Sequence, residues 1–343
     1  MSQMEALMKE INKEFKGDIL HKGLAVYDYQ RIPFTSPRLN YMTYGGIPMG
    51  KLIEFYGEEH GGKTTTALDI VANYQNMEDS KGVVYADLEN TLDSVWATKL
   101  GVDFTRDNIW VMNPTNQGAE TIFEKILQMI ATDEIGLVVI DSLGVMVSNQ
   151  ALEKSVEDKT YGGIAMALTN FSKKAEMLCH KHKCTIIGIN QMRDDMNSMY
   201  GGVTTTGGKA WKHNCSVRLE FRRGRFFDEK YKEISRNSEN PVGNYVQVSM
   251  AKNKTCPPKR HTGFYTLRYE IGIDYLFDLV EVAIKYGMIE KAGAWFSIVD
   301  MNTGELLAKL QGQAGVYAYL EDENNMEVLS KIETYIESQM DNE

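Results

Sequence analysis

The sequence is short of the features that mark secreted, metal-stapled or membrane proteins. Its four cysteines, Cys179, Cys184, Cys215 and Cys256, form no CxxC pair. Nothing at the N-terminus resembles a signal peptide, so the expectation is a soluble chain in a reducing cytosol, with no membrane partner. No apolar run approaches the ~18 to 20 residues of a membrane span. Within "CHKHKC", the side chains of Cys179, His180, His182 and Cys184 match no common zinc spacing and sit where a helix should give way to a buried strand. Internal repeats and low-complexity tracts are lacking too. So is an excess of positive charge: 37 Lys and Arg stand against 47 Asp and Glu, a net of −10, which ordinarily argues against a nucleic-acid partner. The distribution weakens that argument. Between Leu320 and Glu343 eight acidic residues face Lys331 alone, and the rest of the chain is nearly balanced.

What is present is enough for a full core. At 343 residues and 43% hydrophobic, the chain can divide into more than one unit. Met4, Leu7, Met8, Ile11 and Phe15 fall at helical spacing, with Gly17 as a C-terminal cap. Such an apolar stripe needs a partner in its own subunit or a neighbour. From about residue 50, the strand-like runs "KLIEFYG", "GVVYADLE", "NIWVMNP", "IGLVVIDS" and "CTIIGINQ" alternate with helical segments. That alternation calls for a mostly parallel twisted sheet with helices on both faces. "CSVRLEFRRG", "NYVQVSMAKNK" and "TGFYTLRYEIG" then follow without intervening helices, as strands extending the sheet with antiparallel members. The polar segment 225–244 between two of them reads as a surface excursion. Beyond Gly272 the texture is that of a small α+β domain ending in a helix with Val328, Leu329, Ile332, Tyr335 and Ile336.

"GEEHGGKT", residues 57–64, fits G-x-x-x-x-G-K-[ST] between a strand and a helix. In that setting Gly57, Glu58, Glu59, His60, Gly61 and Gly62 wrap phosphates with backbone N–H groups, and Lys63 reaches the β/γ oxygens. Thr64, followed by Thr65, would hold Mg²⁺ through its hydroxyl. "LVVIDS" ends an apolar strand in Asp141 and Ser142. Beside a phosphate loop, Asp141 is placed to act on the magnesium through water, and Ser142 to orient nearby polar groups. Hydrolysis also needs a group that positions a water. "YADLEN" offers Asp87 and Glu89, and Glu89 is the better candidate because it lies beyond the strand end.

The stretch "SMYGGVTTTGGKAWK", residues 198–212, has a composition that neither packs a core nor pairs cleanly in a sheet. Its glycines permit close backbone approach to phosphates. A flexible linker is the competing reading.

Together, "GEEHGGKTT", "YADLENTLD", "LVVIDS", "GINQMR", "TTTGGKA" and "AKNK", in this order and spacing, resemble the bacterial RecA family of strand-exchange recombinases. The likeness runs from about residue 3 to residue 300, including "KAGAWFS". It implies a RecA-like P-loop ATPase core that uses ATP and Mg²⁺. Glu89 would be the catalytic base and Gln191 the sensor of the γ-phosphate. Asp93, Trp96 and Tyr269 match adenine-pocket positions. Lys252 and Lys254 match residues that reach into the next subunit's ATP site, so that the site is completed only in a filament. The first DNA loop would be 153–163, with Tyr161, Gly162 and Gly163. The second would be 192–212, with Arg193, Met196, Met199, Tyr200, Gly201, Gly202, Thr204, Thr205, Thr206, Gly207, Gly208, Lys209 and Lys212. Cations and threonines there would take the DNA backbone, and Met196, Met199 or Tyr200 would stack on or wedge between bases.

The resemblance implies single-stranded DNA and a homologous duplex as partners, self-assembly into a helical filament, and a cytoplasmic place of work. It admits single-strand-binding and loader proteins as further partners. It also implies a negative tail that competes with double-stranded DNA. The chain departs from the family at His213, where an aromatic is usual, and at Ala167, near a usual arginine. The expected organisation is residues 1–32 for polymerisation, 33–271 for the ATPase core and 272–343 for the small C-terminal domain. The rival readings are a ring-forming DNA motor or helicase, and an ATP-binding regulator that acts through proteins.

Overall fold

The computed structural model describes residues 2–16, 20, 29–154, 163–194, 202–235 and 237–342. Its contacts divide the chain into two units, Met1–Gln30 and Arg31–Glu343. In the first, helix Gln3–Glu14 opens with a capping box. The Ser2 side chain accepts the Glu5 N–H at 3.2 Å, and the Glu5 carboxylate accepts the Ser2 N–H at 3.0 Å. The helix stops at Phe15, and Lys16 takes the left-handed conformation at φ 51°. The turn thus falls one residue before Gly17, the glycine expected to make it, which lies outside the described residues. Met4, Leu7 and Phe15 on its apolar stripe are exposed.

In the second unit an eleven-stranded sheet orders the chain. From edge to edge its main path is Gly272–Ile273, Thr262–Arg268, Gly243–Asn253, Val217–Phe227, Leu52–Gly57, Thr185–Asp194, Ile135–Asp141, Gly82–Asp87 and Ile109–Met112. The six strands from Val217–Phe227 to Ile109–Met112 run parallel, and the remaining three are antiparallel. Of the three consecutive strand segments, then, the first joins the parallel set and the others extend it as antiparallel members.

Because successive strand residues point to opposite faces, each strand feeds two cores. Ile53, Phe55, Val83, Tyr85 and Val139 pack with helix Lys63–Gln75 on one face. Leu52, Val84, Val138 and Ile140 pack with helices Ala119–Ala131 and Gly163–His182 on the other. Burial on both faces explains why the central strands read as unbroken apolar runs.

The C-terminal part has a core of its own, including Val280, Phe296, Ile298, Val316, Ile332 and Ile336. Helix Tyr275–Lys285, a three-stranded antiparallel sheet and helices Gly312–Glu321 and Met326–Asn342 enclose it.

The 225–244 excursion lies on the surface as expected, but its first part folds back as a hairpin. Glu233 and Ile234 pair back onto Phe227 and Phe226. Tyr231, at φ 57°, packs its ring 5.3 Å from Phe227, 4.5 Å from Phe277 and 5.7 Å from Tyr317. Its hydroxyl bonds Asp274 and receives Arg268 Nη1 at 3.1 Å. The excursion therefore ties the end of the sheet to the C-terminal helices.

Candidate functional site

The phosphate loop is built where strand Leu52–Gly57 turns into helix Lys63–Gln75. Gly57 has φ 152°, and a Cβ there would lie 2.1 Å from the Phe221 carbonyl oxygen; Gly62, at φ 92°, would place one 2.6 Å from the Tyr265 hydroxyl. Only glycine satisfies both positions. Lys63 is buried and donates to the carbonyls of Gly57 at 3.1 Å and Glu58 at 2.6 Å. Burial pushes its ammonium pKa down, while Asp141, Glu89, Glu59 and Glu58 pull the other way.

A cavity of about 440 Å³ opens here. It is lined by His60, Gly61, Gly62, Lys63, Thr64 and Thr65 on the loop side, with Arg223, Asn244, Leu267 and Tyr269 opposite. That size suits a small-molecule ligand. Tyr269 donates its hydroxyl to Asn244 Oδ1 at 3.0 Å. Arg223 and Asn244 belong to no motif. Sheet register brings them in, because strand Val217–Phe227 runs on past the level of Gly57, which pairs with Phe221.

Next to the loop, Asp141 Oδ2 accepts the hydroxyls of Thr64 and Tyr85, each at 2.8 Å. Burial raises the Asp141 carboxyl pKa and the two hydroxyls lower it again. Two hard oxygen donors meeting beside a phosphate loop fit Mg²⁺, which keeps waters and binds through one or two protein oxygens plus phosphates. The Asp141–Ser142 peptide is cis. Ser142 Oγ bonds Glu89 Oε1, and Gln191 Nε2 reaches the same oxygen at 3.3 Å. Register makes this meeting possible, since Asp87 is level with Asp141 and Gly57 with Gln191. Asp87 is occupied elsewhere. Its buried carboxylate accepts the N–H groups of Thr91 and Leu92 at 3.1 and 3.0 Å, closing the turn and leaving Glu89 at the strand end.

The residues matched to the adenine pocket are not all brought together. Tyr269 lines the cavity; Asp93 and Trp96 do not. Asp93 caps helix Ser94–Lys99, accepting the N–H groups of Val95 and Trp96 at 2.9 and 3.1 Å. Trp96 packs half-buried against the first core.

Of the DNA-loop residues, Tyr161, Gly162, Met196, Met199, Tyr200 and Gly201 lie outside the described residues; Gly163 starts a helix. The stretch expected neither to pair nor to pack does both. Val203–Thr205 pairs antiparallel with the end of Thr185–Asp194, with Thr204 opposite Arg193. Gly207, at φ 104°, then caps helix Gly208–Asn214, whose Trp211 is fully buried. Adjacent β-branched threonines favour the strand, and the tryptophan finds the core. Thr205 is buried, Thr204 accepts from Lys212 Nζ, and Arg193 Nη2 donates to the Gly144 carbonyl at 2.5 Å. Gly202, Gly208 and Lys209 are exposed.

Lys252 Nζ donates to the carbonyls of Lys212 and His213 at 2.7 and 2.6 Å, and Lys254 Nζ to that of His213 at 3.1 Å. Both lysines hold the C-terminal end of the helix that follows the second loop. Lys252 is level with Arg218, and Arg218 with Glu54, three residues before Gly57. The lysines thus sit towards the end of the strands opposite the phosphate loop.

Comparison with known proteins identifies the family. The family model for the RecA N-terminal domain matches residues 2–274, and that for the RecA C-terminal domain residues 277–341. A Protein RecA from Ruminococcus albus is 34% identical over 306 residues, 88% of this chain and 73% of the relative. One from Brucella anthropi is 32% identical over 338 residues, 96% of this chain and 87% of the relative. One from Malacoplasma penetrans is 31% identical over 340 residues, covering 98% and 96%. With both domains matched in order over nearly the whole length, the chain belongs to the RecA family of homologous-recombination strand-exchange ATPases.

Proposed function

We propose that the family's DNA-dependent ATP hydrolysis and strand exchange run in this chain through the Glu89, Ser142 and Gln191 cluster. The observation that carries this is one carboxylate oxygen, Glu89 Oε1, bonded at once to Ser142 and to the glutamine that leads into the second loop. ATP would lie in the cavity of about 440 Å³ with its phosphates on the loop of residues 57–64, and Tyr269, which lines that cavity, would meet the base. Thr64 and Asp141 would hold Mg²⁺, which offsets negative charge on the phosphates.

Glu89 takes the proton of the attacking water, and Ser142 and Gln191 orient its carboxylate. Lys63 stabilises charge on the transferring phosphoryl group. Gln191 senses whether that group is present, and its strand carries the information to the second loop. There Arg193, Lys209, Lys212 and Thr204 would meet the backbone of single-stranded DNA, leaving base edges free to pair with a homologous duplex. Thr205 is buried and the Thr206 hydroxyl is turned inward, so neither joins that contact. Lys252 and Lys254 would complete the ATP site of a neighbouring subunit. The organisation we propose keeps residues up to about 30 for polymerisation, an ATPase core to about 271 and a C-terminal domain beyond it. The chain is expected to act in the cytoplasm, with loader and single-strand-binding proteins as accessories; no described helix is long and apolar enough to cross a membrane.

The test is strand exchange between a single-stranded circle and a linear duplex, with ATP and Mg²⁺. Joint molecules should form with a homologous duplex and not with a heterologous one. Unwinding of a forked duplex without exchange would move the protein to the motor class.

A further inference from the structure

The strand that leads to the phosphate loop carries a fully buried carboxylate, Glu54. A buried charge is costly unless its oxygens are all engaged. Glu54 Oε2 accepts Arg218 Nε at 2.5 Å, and Oε1 accepts Asn190 Nδ2 at 2.9 Å. Asn190, also fully buried, immediately precedes Gln191. Its other amide hydrogen goes to the Thr206 carbonyl at 2.8 Å, and its Oδ1 accepts the backbone N–H of Gln191 at 3.0 Å.

The amide orientation is fixed by its partners. Turned over, it would set its oxygen against the Glu54 carboxylate and the Thr206 carbonyl, and its hydrogens against the Gln191 N–H. One short side chain therefore joins three places: the phosphate-loop strand, the backbone of Gln191, and the residue where the second loop returns to the core.

We propose that Asn190, seated on Glu54, is the positioning residue that couples Gln191 to the second loop. A shift of Gln191 relative to Glu89 changes the strand end from which Asn190 holds Thr206, and so moves the loop's closing anchor. The reverse holds when DNA pulls on the loop. The inference rests on the roles given above to Gln191 and the second loop.

The experiment compares the full chain with Asn190→Ala, Asn190→Ser and Gln191→Ala. It reads affinity for a fluorescent ATP analogue, ATP hydrolysis with and without single-stranded DNA, and DNA affinity with and without a nonhydrolysable analogue. In the Asn190 variants nucleotide affinity should stay within about threefold, while DNA stimulation of kcat falls about tenfold or more and DNA affinity ceases to respond to nucleotide, the scale of an allosteric coupling. Coupling retained within about twofold in a folded Asn190→Ala overturns the proposal. So does loss of nucleotide affinity in parallel with coupling, which would put Asn190 in the ATP site itself. Full DNA stimulation in Gln191→Ala overturns the underlying assignment and the proposal with it. Loss in Gln191→Ala but not in the Asn190 variants overturns the proposal alone. If the Asn190 variants do not fold, hydrogen exchange on the unaltered chain decides. Protection of the amides of residues 203–206 should change when the analogue is added without DNA, and no change overturns the proposal.

Discussion

Mixing two inactive variants tests whether the ATP site is shared between subunits. Lys252 lies level with Glu54, three residues short of Gly57 and two strands across. With a rise of ~3.3 Å per residue and strands ~4.8 Å apart, its Cα is about 14 Å from that of Gly57. A lysine side chain spans about half of that distance, and this one is directed to the carbonyls of Lys212 and His213. Both lysines are therefore directed away from the phosphate loop of their own chain. The double variant Lys252→Ala, Lys254→Ala should hydrolyse little ATP, and so should Lys63→Ala. In an equal mixture, about half of the phosphate loops are intact and about half of the neighbours supply lysines, so about one quarter of head-to-tail junctions are complete. Hydrolysis on single-stranded DNA should therefore return to about a quarter of the unaltered rate. Truncating the lysines also removes cations from a helix C-terminus, a loss of about 0.3–1 kcal/mol each, small enough to leave the fold intact. No recovery at any mixing ratio would refute the reasoning and return the lysines to a structural role.

Glu89→Gln should abolish turnover while leaving filaments visible by electron microscopy; loss of both would remove Glu89 from the role of base. Trp211→Ala empties a fully buried site and should cost about 3–5 kcal/mol in denaturant unfolding, which an exposed tryptophan would not. Burial pushes the Asp278 carboxyl up to about 7, against the opposing pull of Arg38, Ser36 and Thr266. A carboxyl raised on folding holds a proton that the unfolded chain releases, so its contribution is present below about pH 4 and is lost as pH rises to about 7. Asp278→Asn should flatten that part of the stability profile in denaturation at pH 5 and pH 8, and an unchanged slope would show that Asp278 is ionised throughout.

What was legible in the sequence was local. The phosphate loop is contiguous, so its glycines and Lys63 could be named outright. Asp141 and Glu89 stand at the ends of strands whose apolar runs mark themselves. The preference for Glu89 over Asp87 has a structural reason that the sequence did not show, the two N–H groups that Asp87 accepts. Arg223, Asn244 and Asn190 were missed because they act through register between strands far apart in sequence. The threonine and glycine tract misled by composition: a three-residue strand and one buried tryptophan outweigh the mobility its glycines imply. Tyr231 sits in a polar segment, and only the approach of Phe277 and Tyr317 gives its ring a place to go.

The opposed positions of the phosphate loop and Lys252 also bear on the length of an assembly. A row of such subunits has two unlike tips. On the proposed arrangement, one tip would carry lysines with no phosphate loop to serve, and the other a phosphate loop without them. If Lys252 and Lys254 complete a neighbour's site as proposed, the number of complete sites is one fewer than the number of subunits, so a lone subunit would have none and short rows would be disproportionately idle. Turnover per subunit should climb with row length before levelling off. The tip that cannot hydrolyse should keep its nucleotide longest, which gives growth and loss a built-in direction.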